Sequence, residues 1–203
     1  MNTTACVQCA LPMDTATCQA GAQRCGRCLA NPPAFDRVRT PWLYAFPVNR
    51  LIGRFKYRGE RVYGRPLAEM LAEQLANTGT CYPDCLLPVP MHAERQRQRG
   101  FNQAEEIALW LSDRLTIPVR RNSLTRTRQA NPQSALSRRQ RQRNLRGAFR
   151  VQGSLPAHVA VVDDVVTTGA TIEEIARILK RAGVETVEVW ALARTPVTPL
   201  ATR

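Results

Sequence analysis

Asp163 and Asp164 stand side by side, two valines ahead of the run Thr167-Thr168-Gly169-Ala170-Thr171. Residues of these types at this spacing suit a phosphorylated sugar. Carboxylates accept hydrogen bonds from sugar hydroxyls, or hold a divalent metal through its waters. Gly169 lets the backbone approach a ligand closely, and the threonines add O–H donors. The free N–H groups and positive dipole end of a helix starting there would complete a seat for phosphate. Val159 to Val162, ahead of the acids, has the apolar, β-branched character of a buried strand. Ile172, Ile175, Ile178 and Leu179, after the loop, form one stripe of an amphipathic helix. The competing reading is a buried strand whose two acids cap the next helix. No Walker GxxxxGK[ST] segment and no GxGxxG turn after a strand is present, so P-loop and dinucleotide sites find no footing.

A second chemistry is carried by sulfur. Of the seven cysteines, Cys6-x2-Cys9 and Cys25-x2-Cys28 have fifteen residues between them, a spacing that suits a four-thiolate zinc site. Four thiolates leave no open position, so this zinc is expected to be structural. Residues 1–34 contain few large apolar side chains, and metal binding would supply their stability. Cys18 lies inside the knuckle and could substitute as a ligand, but it is expected to stay outside the shell. Cys81 and Cys85 have no second pair and read as small core residues. An odd count argues against a disulfide framework.

The third chemistry is cationic. The formal net charge is +13, and all the basic side chains except Lys56 and Lys180 are arginine. From Arg114 to Val162 there is no Asp or Glu, while ten arginines fall between Arg120 and Arg150. Such a field attracts polyanions, pyrophosphate or nucleic acid, because the guanidinium fork matches phosphate oxygens. The plainer alternative is a solvated surface. Of the two histidines, His158 reads as a strand-edge residue and His92 belongs to a basic loop reaching Gly100. Composition bounds the rest. A chain of 203 residues, 44% hydrophobic, holds one α/β domain plus a small module. No stretch nears the ~18 apolar residues of a membrane span. The first residues lack the charged and apolar regions of a secretory signal, so a cytoplasmic location is expected.

These groups need elements to hold them. Asn31-Pro32-Pro33 marks a linker, dividing a knuckle (1–34) from the main domain (35–203). A short strand is expected near Trp42 to Phe46. Leu51, Ile52 and Phe55 give a helical face that Gly59 ends. Pro66 is placed at the first position of a helix to about Asn77, with Leu67, Met70, Leu71 and Leu75 inward. A strand over 85–89 leads to the basic loop, and Asn102 caps a helix carrying Ile107, Ala108, Leu111 and Leu115. Ile117 to Arg120 and Ala148 to Val151 are short strand candidates, and Thr186 to Leu192 is the final strand. Alternation of this kind predicts a parallel sheet with helices on both faces.

The segment VVDDVVTTGAT resembles the phosphoribosyl-pyrophosphate (PRPP) motif of type I phosphoribosyltransferases. That resemblance implies that Asp163 and Asp164 grip the ribose 2′- and 3′-hydroxyls. It also implies that Thr167, Thr168, Gly169, Ala170 and Thr171 wrap the 5′-phosphate, with Mg²⁺ accompanying PRPP. Pro88-Val89-Pro90 with Arg99-Gly100-Phe101-Asn102-Gln103 resembles the signature of the ComF family, which includes GntX-like proteins. Gln133-x-x-Leu136, Arg141-x-x-Asn144 and Gly147-Ala148-Phe149 are similar to a second block of that family, and Phe55-Lys56-Tyr57 and the knuckle also fit. The resemblance runs from Cys6 to about Arg194. It implies a zinc knuckle joined to a type I phosphoribosyltransferase-like α/β domain, and a role in handling incoming single-stranded DNA, with a DNA-uptake or helicase protein as partner. Arg97, Arg99, the arginines of residues 124–147 (Arg141 among them) and Asn144 then have two competing jobs. They belong either to a mobile loop closing over pyrophosphate or to a track for a nucleic-acid backbone. Rival roles are an active phosphoribosyltransferase of nucleotide metabolism and a nucleotide-sensing adaptor.

Overall fold

The structure is a computed structural model that describes residues 5–13, 24–79, 81–127, 145 and 147–196. Its centre is a parallel sheet of five strands: β1 (Arg37–Arg39), β2 (Trp42–Leu43), β3 (Cys85–Pro88), β6 (His158–Val166) and β7 (Thr186–Arg194). The order is β1-β7-β6-β3, with β2 continuing the β1 edge alongside Ala193 and Arg194. Between β1 and β2 lies Pro41, which has no N–H to give a ladder. A separate antiparallel pair joins β4 (Leu124–Arg126) to β5 (Phe149–Val151).

Side-chain alternation along β6 and β7 assigns the two faces of the sheet. Val159, Val161, Val187, Val189 and Ala191 pack on α6 (Ala170–Arg181), together with Cys6, Cys9, Leu11 and Cys28 of the N-terminal segment. Ala160, Val162, Trp190 and Leu192 pack on the opposite face. That face is covered by α2 (Val48–Arg58), α3 (Arg61–Ala76) and α5 (Gln103–Leu115). The knuckle, which carries α1 (Gly26–Ala30), therefore shares a core with the sheet. Its Gln8 carbonyl also accepts the Val38 N–H of β1 at 2.8 Å.

Several expectations are corrected in detail. Helix α3 starts a turn early, at Arg61, which leaves Pro66 inside it. Met70 is exposed, because Leu67, Leu71 and Leu75 at i, i+4 and i+8 already make the buried stripe. Cys81 is exposed, and only Cys85 joins the core. Residues 117–120 make one bridge, Val119 to Leu86, rather than a strand; Pro118 interrupts the donor ladder. The basic loop after His92 is largely a helix, α4 (Ala93–Arg99). It has no buried residue, so hydrophobic periodicity could not reveal it. The strand through the acids continues to Val166, so the turn before α6 is only three residues long.

Helices α2 and α3 meet at Gly64, where an added Cβ would lie 2.7 Å from the Phe55 ring. Phe55 is fully buried and stacks at 5.7 Å on Phe101 and at 5.5 Å on Trp110. That contact fixes the end of α2 over the sheet.

Candidate functional site

A cleft of about 910 Å³ opens beyond the C-terminal ends of β3 and β6, the place where open α/β sheets bind ligands. Asp163, Asp164, Thr167 and Thr171 lie on its floor, and Lys56, Arg58, Arg61, Arg95, Arg99 and Arg126 on its walls. Six cations surround two acids, so the walls suit an anion and the floor suits hydroxyls or a cation.

The two acids do not cap α6. Asp163 Oδ1 accepts the N–H of Asp164 at 2.8 Å, and Asp164 Oδ1 accepts that of Val165 at 2.7 Å. Asp164 Oδ2 lies 2.6 Å from Lys56 Nζ, which reaches in from the last turn of α2. Burial pushes the Asp163 carboxyl up to about 7; the neighbouring Asp164 adds to this, and Lys56 opposes it. Burial also acts to lower the Lys56 ammonium, yet the Asp164 carboxylate outweighs it and the net shift is upward. Two carboxylates pressed together in this way fit a divalent cation or sugar hydroxyls, either of which relieves their repulsion. On the opposite wall, burial and then Arg95 hold the Arg126 guanidinium below its ordinary value. Excess positive charge there suits a multiply charged anion.

The Arg99–Gln103 run is scaffold as well as lining. Arg99 donates to Gln103 Oε1 at 2.9 Å and lies 5.5 Å over the Tyr57 ring. Gly100 ends α4 in the left-handed region at φ 81°. Asn102 accepts the Ala104 N–H, capping α5, and donates to the Val89 carbonyl at 3.1 Å. Gln103 donates to the Lys56 carbonyl at 3.2 Å. One short run thus ties α2, α4, α5 and the strand end together around the cleft.

Sequence-expected residues divide between two cavities. Asp163, Asp164, Thr167, Thr171 and Arg99 line the cleft. Thr168, Gly169 and Ala170 line a separate cavity of about 110 Å³ behind it, shared with Cys9 and Cys28. Gly169 adopts φ 78° ahead of α6 and has no side chain with which to cap the helix. Arg97 belongs to α4 but is not part of the cleft lining, whereas Arg95 is. Arg141 and Asn144 lie outside the described residues, as do Cys18, Gln133 and Leu136. Sequence reasoning did not single out the pairing of Lys56, nor the roles of Arg58, Arg61, Arg95 and Arg194; Arg126, one of the 124–147 arginines expected to meet pyrophosphate or nucleic acid, lines the cleft. Lys56 did leave a signal, being one of two lysines in an arginine-rich chain.

Cys6, Cys9, Cys25 and Cys28 bring four sulfurs within 4.8 Å of one another. The Cys9 and Cys25 sulfurs are 3.7 Å apart, close to the ~3.8 Å edge of a tetrahedron with ~2.3 Å metal–sulfur bonds. The four cysteines can therefore hold a metal ion. The Cys25 N–H donates to Cys6 Sγ at 3.2 Å. Burial would raise the Cys6 thiol, but N–H donors from Cys25, Cys9 and Gln8 outweigh it and bring it down to about 7. Burial pushes the Cys9 thiol up to about 11. Among the described residues no helix is long and apolar enough to cross a membrane.

With the sheet, the acid pair and the threonine-glycine turn described, the chain can be set beside known proteins. The phosphoribosyl transferase domain family matches this chain over residues 64–203. The DNA utilization protein YhgH of Escherichia coli (strain K12) is 39% identical over 199 residues, 95% of this chain and 85% of that protein. Competence protein F of Haemophilus influenzae is 37% identical over 181 residues, 85% of this chain and 79% of that protein. Among solved structures, the purine phosphoribosyltransferase from Pyrococcus horikoshii Ot3 aligns with 67% of this chain and 75% of its own, at 20% identity and a TM-score of 0.42. The chain belongs to the phosphoribosyl transferase domain family and, within it, to the ComF proteins whose relatives are named for competence and DNA utilization.

Proposed function

We propose that the cleft binds phosphoribosyl pyrophosphate with Mg²⁺ and that the protein, in the cytoplasm, handles incoming single-stranded DNA. The observation that carries this reading is the floor of two adjacent carboxylates beneath six cations. Asp163 and Asp164 accept hydrogen bonds from the ribose hydroxyls, and the ion pair with Lys56 holds the Asp164 carboxylate in place. Thr167 and Thr171, with the backbone amides at the start of α6, take the 5′-phosphate. Arg95, Arg99 and Arg126 face the pyrophosphate. Mg²⁺, when bound, neutralises that group. At the rim, exposed Tyr57 with Arg58, Arg61 and Arg99 offers a base a stacking surface and its backbone a cationic track. Arg97 of α4, and Arg141 and Asn144 outside the described residues, are further candidate contacts for pyrophosphate or nucleic acid, and Zn²⁺ in the four-thiolate knuckle is structural.

Calorimetric titration of PRPP, with and without Mg²⁺, tests the reading. Wild type should bind in a Mg²⁺-dependent way. Asp163→Asn with Asp164→Asn should lose about 1–1.5 kcal/mol for each bond, the gap between a charge-assisted bond and the weaker one an amide makes. An unchanged circular-dichroism spectrum confirms that the variant is folded. No heat from wild type would sink the phosphoribosyl reading. Pyrophosphate release, followed across a panel of bases and amines, separates the roles. Release with one acceptor marks an active transferase, whereas binding without turnover marks a DNA-handling or nucleotide-sensing protein.

A further inference from the structure

The turn between β6 and α6 is a thin wall with a cavity on each side. Thr167 and Thr171 face the ligand cleft, while Thr168, Gly169 and Ala170 face the small cavity closed by Cys9, Cys28 and Arg27. At the end of β7, Arg194 is 1% exposed and reaches both the knuckle and this turn. Its Nε donates to the Cys9 carbonyl at 3.0 Å. Its Nη1 donates to the carbonyls of Val166 at 2.7 Å, Thr195 at 3.1 Å, and Thr167. Arg27 Nη2 makes a longer contact of 3.5 Å to the Thr168 carbonyl. From the far end of the knuckle, Glu173 of α6 accepts the Ala34 N–H at 3.0 Å.

A guanidinium is a rigid planar fork, so its acceptors cannot move independently. Cys9 belongs to the four-sulfur cluster, and its carbonyl is one tooth's partner; the carbonyls of Val166 and Thr167 are partners of another. Any rearrangement of the Cys6–Cys9 turn is passed to the backbone that shapes the phosphate seat. The partners are backbone carbonyls, so the link reads main-chain position rather than side-chain identity.

We propose that Arg194 is a positioning residue coupling metal occupancy of the Cys6, Cys9, Cys25 and Cys28 cluster to the geometry of residues 167–171, so that metal and phosphoribosyl ligand favour each other's binding. The ligand half of this statement rests on the function proposed above. Linkage makes the effect reciprocal: a metal that tightens PRPP binding must itself be held more tightly when PRPP is bound.

The full chain, metal-loaded or stripped with a chelator, provides the test. Hydrogen exchange without any ligand reads the turn directly. Amides of residues 168–170 should exchange faster after stripping and in Arg194→Met, with those of β3 unchanged. Calorimetry with PRPP and Mg²⁺ should show a loss of roughly tenfold in affinity on stripping wild type, within the usual range for coupled sites. Arg194→Lys keeps the charge but not the fork; it should retain its metal and bind PRPP equally, and weakly, in both states. Saturating PRPP should slow metal release to a chromophoric chelator in wild type but not in Arg194→Lys. Equal exchange at 168–170 with and without metal would overturn the coupling. So would an Arg194→Lys variant that shows the wild-type drop. Loss of protection throughout β6 and β7 on stripping would also overturn it, making the knuckle a general support. Metal-loaded wild type that binds no PRPP would instead remove the phosphoribosyl reading, with the exchange experiment still deciding whether the knuckle controls the turn.

Discussion

The Asp163 carboxyl, raised to about 7, is protonated on the acid side of neutrality and ionised on the alkaline side. Its ordinary value is 3.8, so between about pH 4 and 7 the folded protein holds a proton that the unfolded chain has released. Folding stability from this group therefore falls as pH rises through that window and levels off above it. Ligand binding runs the other way, because hydroxyls and a cation call for the ionised form. Asp163→Asn should flatten this part of the stability–pH profile, raise the melting temperature on the alkaline side and weaken PRPP binding there. Thermal melts and titrations from about pH 5 to 8 check all three. A variant that melts lower than wild type at the alkaline end would mean that neither burial nor Asp164 penalises the ionised Asp163 carboxylate in the folded protein. The acid pair itself was legible because its chemistry is local in sequence: strand, carboxylates, threonines and glycine are consecutive. Lys56 was not legible as a partner, since nothing in the chain records that the end of α2 lies over the end of β6.

Elements with a buried stripe were readable and those without one were not. Helices α5 and α6 follow from their apolar periodicity, and the Asn102 cap marks the start of α5. The polar helix α4 and the three-residue strands β1 and β4 have too little pattern to find. Pro66 misplaced the start of α3, because a proline tolerated inside a helix looks the same in sequence as one at its first position. The knuckle was readable from cysteine spacing, but its attachment was not: Arg194 and Gln8 reach it from outside the motif or through backbone carbonyls. At this scale the expected result is one metal per chain. Cys25→Ser should lose the metal and lower stability, whereas Cys18→Ser should retain it; metal analysis of the purified variants decides. Loss of metal from Cys18→Ser alone would move that residue into the coordination shell.

For the whole molecule, charge and packing set the behaviour. With a formal net charge of +13, affinity for single-stranded DNA should fall steeply with salt, since each neutralised phosphate releases counterions. Replacing Arg138, Arg139, Arg141 and Arg143 by Gln should flatten the logarithmic salt slope, read by fluorescence anisotropy. Saturating PRPP with Mg²⁺ should displace DNA held at the Tyr57 rim, and an unaffected complex would place the DNA elsewhere. Packing has a longer reach. The vacancy at Gly64 is what allows the Phe55 ring to sit beneath α3, and Lys56, the next residue, holds Asp164. Gly64→Ala should cost about 1–3 kcal/mol by overpacking and should loosen PRPP binding as well. Adding Phe55→Leu should recover part of both losses, a coupling that a double-mutant cycle measures. In a genetic screen for impaired DNA utilization, Gly64 should therefore score alongside the cleft residues, and a suppressor search begun from it should lead to Phe55 before it reaches any residue that touches a ligand.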